Sequence, residues 1–65
     1  MKLGDNIQFF RKKESLSQEE LAEKCKVSRQ AVTKWEAGES TPSIEKLITL
    51  AEIYDVSLDE LVGNC

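Results

Sequence analysis

The 65 residues include no histidine, two cysteines, one proline and three glycines. Without an imidazole there is no Ser-His-Asp triad and no histidine general base. Cys25 and Cys65 also fall short of the four Cys/His ligands of a structural zinc site. An enzyme is therefore not expected, nor a metal or other cofactor, and no small-molecule substrate is evident. Scarce proline and glycine exclude collagen-like and low-complexity chains. No apolar run approaches the ~18 residues of a membrane span, and the start Met1-Lys2-Leu3-Gly4-Asp5 lacks the apolar centre of a signal peptide. No membrane partner and a cytoplasmic location are expected. Cys25 falls on the apolar face of a helix and Cys65 is the last residue, so free thiols are expected rather than a disulfide.

Hydrophobic residues at 40% and charged residues at 32% are the proportions of a chain that folds. Its length allows one domain, residues 1–65, because cores divide only beyond roughly 250 residues. A domain of this size is left only roughly 3–5 kcal/mol stable by its core alone. A net charge of −3 spread evenly would disfavour a polyanionic partner, but its distribution is lopsided. Residues 1–35 hold eight Lys/Arg against five Asp/Glu, and residues 36–65 hold one Lys against seven Asp/Glu. Lys24, Lys26, Arg29 and Lys34 have only Glu23 as a counter-charge among them, a density that suits phosphate contact. The plain alternative is a solvated helical surface.

Apolar spacing and capping residues lay out five helices and no strand. Leu3, Ile7 and Phe10 share one face of a first helix ending near Lys13 or Glu14. Ser17 with Glu20 forms a capping box that starts a second helix at Gln18, with Leu16 and Leu21 as its hydrophobic staple. Leu21, Ala22 and Cys25 form its stripe. Ser28 is placed to cap a third helix, Val27 and Val32 repeat the staple, and Gly38 ends it. Ile44, Leu47, Ile48, Ala51 and Tyr54 give a fourth amphipathic helix, started by Pro42 or capped by Ser43. Ser57 with Glu60, and Val56 with Leu61, rebuild the box and staple for a short fifth helix ending at Gly63. No internal repeat or linker is expected.

The second and third helices are joined by about three residues, with small Ala22 where they approach. This is the plan of a helix-turn-helix, its core spanning about residues 18–37. Val32 and Trp35 point inward, so Arg29, Gln30, Thr33 and Lys34 share the solvent side of the third helix. A guanidinium matches the two acceptors of guanine in the major groove, and a carboxamide matches the acceptor and donor of adenine.

The stretch LSQEELAEKCKVSRQAVTKWEAGESTPS, with flanks from Ile7 to Leu61, resembles the Cro and phage-repressor (XRE-like) family of helix-turn-helix transcription regulators. The resemblance rests on Gln18, Leu21-Ala22, Val27-Ser28, Val32, Trp35-Glu36, Gly38, Pro42-Ser43 and Val56-Ser57-Leu58. It implies an all-α, compact five-helix bundle whose third helix, about residues 29–37, enters the major groove of double-stranded DNA. By the same resemblance Ser28, Arg29, Gln30, Thr33 and Lys34 read bases, and Gln18 clamps a phosphate at a helix N-terminus. Ser40 and Thr41 are implied backbone contacts. Arg11 and Glu36 resemble a family pair that ties the first helix to the third by a structural salt bridge. A homodimer on an inverted-repeat operator follows, since one short helix reads too few bases.

Three residues depart from the family pattern. Lys26 occupies a turn position where glycine is frequent, so positive φ there would cost roughly 1 kcal/mol. Cys25 replaces a larger aliphatic residue, and Phe9 is an aromatic side chain off the apolar stripe. Trp35, alternating with Val32, is expected in the core. The acidic residues Glu45, Glu52, Asp55, Asp59 and Glu60 are expected to face away from DNA. The rival reading is a protein-interaction module, such as an antitoxin, that uses Phe9, Leu58 and Val62.

Overall fold

A computed structural model describes residues 3–63 as five helices, with no strand among them. They are α1 (Leu3–Lys13), α2 (Gln18–Cys25), α3 (Arg29–Ala37), α4 (Ile44–Tyr54) and α5 (Leu58–Val62). Every start from α2 onward is set by a serine in extended conformation whose hydroxyl accepts a backbone N–H of the first turn: Ser17, Ser28, Ser43 and Ser57. Full capping boxes form at Ser17 with Glu20 and at Ser57 with Glu60. The hydrogen bond from the Ser17 backbone holds the Glu20 carboxyl below its ordinary range. At the fourth helix Ser43 is the cap, and Pro42 lies buried just before it.

One core joins all five helices. Ile7, Leu21, Val32, Leu50 and Leu61 are completely buried, and Ala22, Cys25, Trp35, Ala51 and Tyr54 nearly so. Removing a leucine-sized side chain from water contributes roughly 1.5–3 kcal/mol. Leu16, Val27 and Val56, the outer halves of the three staples, pack on this core from its edge. Cys25 is buried as a free thiol, and burial pushes its pKa up; Cys65 lies outside the described residues.

The apolar stripe of α4 differs from the expected one. Leu50 replaces Ile44 and Ile48 as the inward residue, leaving those isoleucines 63% and 44% exposed. Seven of the eleven residues of this helix are apolar, so helical periodicity fits more than one face. Packing against α2 and α5 selects the face carrying Leu47, Leu50, Ala51 and Tyr54.

A short internal repeat also emerges. Residues 21–28, LAEKCKVS, and residues 50–57, LAEIYDVS, share five of eight positions. They build the same corner twice. Lys26 and Asp55 both adopt left-handed backbone, with φ, ψ of 59°, 44° and 57°, 47°. Val27 N–H then donates to Ala22 C=O, and Val56 N–H to Ala51 C=O, the bonds that close a helix end. Ser28 and Ser57 immediately cap the next helix. The unit is too short to give the 20-to-50-residue periods of repeat architectures.

Helix α1 lies across both corners. Its Gly4 sits where α1 meets the end of α3: a Cβ there would come within 2.5 Å of the Trp35 carbonyl oxygen and 2.8 Å of that of Glu36. Asn6 Nδ2 donates to the Leu61 carbonyl (2.9 Å), and the Tyr54 hydroxyl donates to the Ile7 carbonyl (3.0 Å), both buried. These bonds fasten α1 to the second corner.

Candidate nucleic-acid interface

The first corner presents α3 outward. Its core residues Val32 and Trp35 leave Arg29, Gln30, Thr33 and Lys34 exposed on the other side, as the helical period requires. Together with Glu39 these four line an open depression of about 480 Å³. A second depression of about 360 Å³ lies at the start of α2, lined by Arg11, Ser17, Gln18, Glu19 and Arg29. Arg29 belongs to both, so this one residue adjoins the start of α2 and the outer face of α3. It makes no ion pair among the described residues.

Of the other expected site residues, Ser28 is exposed, and its Oγ accepts from the Ala31 N–H at 3.2 Å. Its hydroxyl hydrogen stays available outward, so capping and contact are compatible. Ser40 and Thr41 are exposed but line neither depression.

Arg11 and Glu36 form the expected ion pair, Arg11 Nε to Glu36 Oε2 at 2.6 Å and Arg11 Nη2 to Glu36 Oε1 at 3.2 Å. The side chains are 11% and 4% exposed, so the pair sits in low dielectric and both hydrogen bonds count. Arg11 Nη1 also donates to the Leu16 carbonyl, anchoring the α1–α2 turn. Gln18 joins this pair: its Nε2 donates to Glu36 Oε1 at 3.0 Å, and its Oε1 accepts from the Thr33 hydroxyl at 3.0 Å. The Gln18 carboxamide is thus a strut between α2 and α3, with one amide hydrogen still free for a ligand.

Residues 7–61 match the family described as Helix-turn-helix. This chain belongs to that family, in its phage-repressor type. The helix-turn-helix chain is 39% identical over 64 residues to the HTH-type transcriptional activator BcrR of Enterococcus faecalis, covering 98% of this chain and 31% of the activator. It is 32% identical to the cryptic phage CTXphi transcriptional repressor RstR of Vibrio cholerae, covering 98% of this chain and 57% of the repressor. The chain thus spans about a third to somewhat over half of these relatives. Among solved structures, the P22 c2 repressor in complex with synthetic operator 9T superposes with a TM-score of 0.92 at 31% identity, covering 100% of this chain and 98% of that one. A chain of the SinR protein/SinI protein complex superposes with a TM-score of 0.84 at 34% identity, covering 92% of this chain and 59% of that one.

Two carboxylates of this helix-turn-helix site escaped the sequence reading. Glu19 lines the depression at the start of α2, and Glu39 lines the one on α3. Glu39 follows the helix stop at Gly38 (φ 78°), and its N–H turns back to the Lys34 carbonyl at 2.9 Å. That closing bond returns residue 39 to the outer face of α3, and a glycine helix stop followed by a charged residue is the signal that could have found it. Both acids partly offset the basic charge of Arg29 and Lys34 on this surface. Among the described residues no helix is long and apolar enough to cross a membrane.

Proposed function

We propose that this chain is the DNA-binding domain of a cytoplasmic transcription regulator, with α3 in the major groove of double-stranded DNA. The observation that carries this reading is the shared position of Arg29, which adjoins both the start of α2 and the outer face of α3. A phosphate bound by the α2 N-terminus, with the free amide hydrogen of Gln18, fixes the depth of α3 in the groove. Ser28, Arg29, Gln30, Thr33 and Lys34 then meet base edges. Ser40 and Thr41, outside both depressions, are left to contact backbone beyond the reading face. The likeness to a repressor solved on its operator supports the same docking. Residues 1–65 act as one domain, and no catalytic step is assigned to it.

The domain binds as a homodimer on an inverted repeat, because a helix of nine residues touches too few base pairs for a specific site. The exposed Leu58 and Val62 of α5 support a protein contact there. The same exposure, with Phe9 at 54%, is what favours the second reading, a protein-interaction module such as an antitoxin. Selection of bound sequences from a random DNA pool tests both. The DNA reading expects one enriched site with two inverted halves and binding that weakens steeply with salt. Arg29→Ala is expected to lose about 1–3 kcal/mol on that site and to relax discrimination at one base pair. Loss of the DNA reading would show as no enriched site.

A further inference from the structure

Thr33 lines the depression on the outer face of α3, and what lies behind its hydroxyl determines how it can meet a base. Glu36, paired with Arg11, offers only acceptors. The Gln18 carboxamide, hydrogen-bonded to that carboxylate, must therefore present its Nε2 to Glu36 and its Oε1 to Thr33. A hydroxyl has one hydrogen. For Thr33 that hydrogen has two internal acceptors, each at 3.0 Å: Gln18 Oε1 on the neighbouring helix and the Arg29 carbonyl one turn back. The Arg29 carbonyl already accepts the helical N–H bond from residue 33, whereas donation of Nε2 to a carboxylate polarises the Gln18 carbonyl and makes it the stronger acceptor. Under either arrangement the proton points into the protein and a lone pair points outward.

We infer that the chain Glu36–Gln18–Thr33 fixes Thr33 as a hydrogen-bond acceptor toward DNA, making it a specificity-determining residue that selects an amino base over a keto base. Gln18 and Glu36 are the positioning residues. In the major groove adenine N6 and cytosine N4 donate, while guanine O6 and thymine O4 accept. Every base pair carries one of each, so an acceptor-only Thr33 chooses the orientation of a pair rather than its type: adenine or cytosine on the strand it touches. Around it Arg29 and Lys34 can only donate, so Thr33 supplies an acceptor that those cations lack. The inference rests on the proposed docking of α3 in the major groove.

The test is binding of the wild type, Thr33→Val, Thr33→Ser and Gln18→Met to the selected site and to versions with all four bases at each position. At one position the wild type is expected to prefer adenine or cytosine over guanine and thymine by roughly tenfold. Thr33→Val keeps the shape without the hydroxyl and should bring that ratio to within about twofold. Thr33→Ser should preserve it. Gln18→Met, leaving the Arg29 carbonyl as the sole internal acceptor, should weaken binding to every sequence and, in addition, bring the ratio to an intermediate value. Preference for thymine at the Thr33-dependent position would mean a methyl contact, and preference for guanine a donating hydroxyl; either overturns the inference. So would a full preference retained in Gln18→Met, or no position altered in Thr33→Val. These outcomes leave the DNA reading standing if the Arg29-dependent position persists, whereas a wild type with no enriched site overturns the DNA reading itself.

Discussion

The two corners of this molecule have the same backbone and different surfaces. In each, a leucine-alanine-glutamate turn of helix runs into a left-handed residue, a valine and a capping serine. Beyond the serine the chemistry parts. Arg29 and Thr33 of the first corner are matched in the second by Leu58 and Val62, and Gln30 by Asp59. The inward residue is retained: Val32 and Leu61 are both completely buried. A shared corner therefore specifies only how one helix leaves another. A cationic, hydrogen-bonding outer face suits a polyanion, whereas an apolar and acidic face would be repelled by it and suits a protein surface.

The corners are also fastened to α1 by different means, and three measurements can break or sharpen that contrast. The first corner is held by the Arg11–Glu36 ion pair and the second by neutral hydrogen bonds from Asn6 and Tyr54. Glu36→Ala leaves the Arg11 charge largely buried and unpaired, and is expected to cost about 3 kcal/mol, whereas Asn6→Ala should cost about 1–3 kcal/mol. In a double-mutant cycle, Arg11→Ala with Glu36→Ala should cost clearly less than the sum of the single changes. Strict additivity would mean that the ion pair does not fasten the first corner.

The next contrast lies in the left-handed residues, Lys26 at φ 59° and Asp55 at φ 57°. Replacing either by glycine removes a strain of roughly 1 kcal/mol, offset in part by glycine's freedom in the unfolded chain. Lys26 sits favourably at the negative end of α2, whereas Asp55 places a carboxylate at the negative end of α4. Urea melts should therefore show Lys26→Gly unchanged or slightly stabilised, and Asp55→Gly stabilised by up to about 1 kcal/mol. A falling midpoint in both would show that the two turns are not strained.

The smallest effect is alkaline. Cys25 and Tyr54 occupy the same place in the two corners, and burial raises both above their ordinary values of 9.0 and 10.0. A raised pKa means that the folded state favours the neutral form. The stabilisation is present below the unfolded pKa and is lost as pH climbs past it toward the folded value. Melting temperature should hold through neutral pH and decline above about 9, first from the thiol and then from the phenol. Cys25→Ala should remove the earlier part of the decline and Tyr54→Phe the later part. A decline unaltered by either change would place its origin elsewhere.

Much of this molecule was determined by the sequence alone, because its signals are local. Capping serines, box glutamates and the glycine stop each act within four residues, so helix starts and ends and the outward set Arg29, Gln30, Thr33 and Lys34 could be placed without a fold, whereas positive φ at Lys26 was suggested only by the family resemblance. Charge asymmetry between the halves was equally legible, and so was the exposed Phe9. Tertiary structure decided what depends on distant partners. The inward face of α4 was ambiguous while seven apolar residues could meet the core, until α2 and α5 selected Leu50 over Ile44 and Ile48. The need for glycine at position 4 comes from the end of a helix some thirty residues away. Gln18, read as a phosphate clamp, became a strut only when Glu36 and Thr33 were brought beside it. A hydrogen-bond partner separated by fifteen or eighteen residues leaves no periodic mark on the chain, and only packing supplies it.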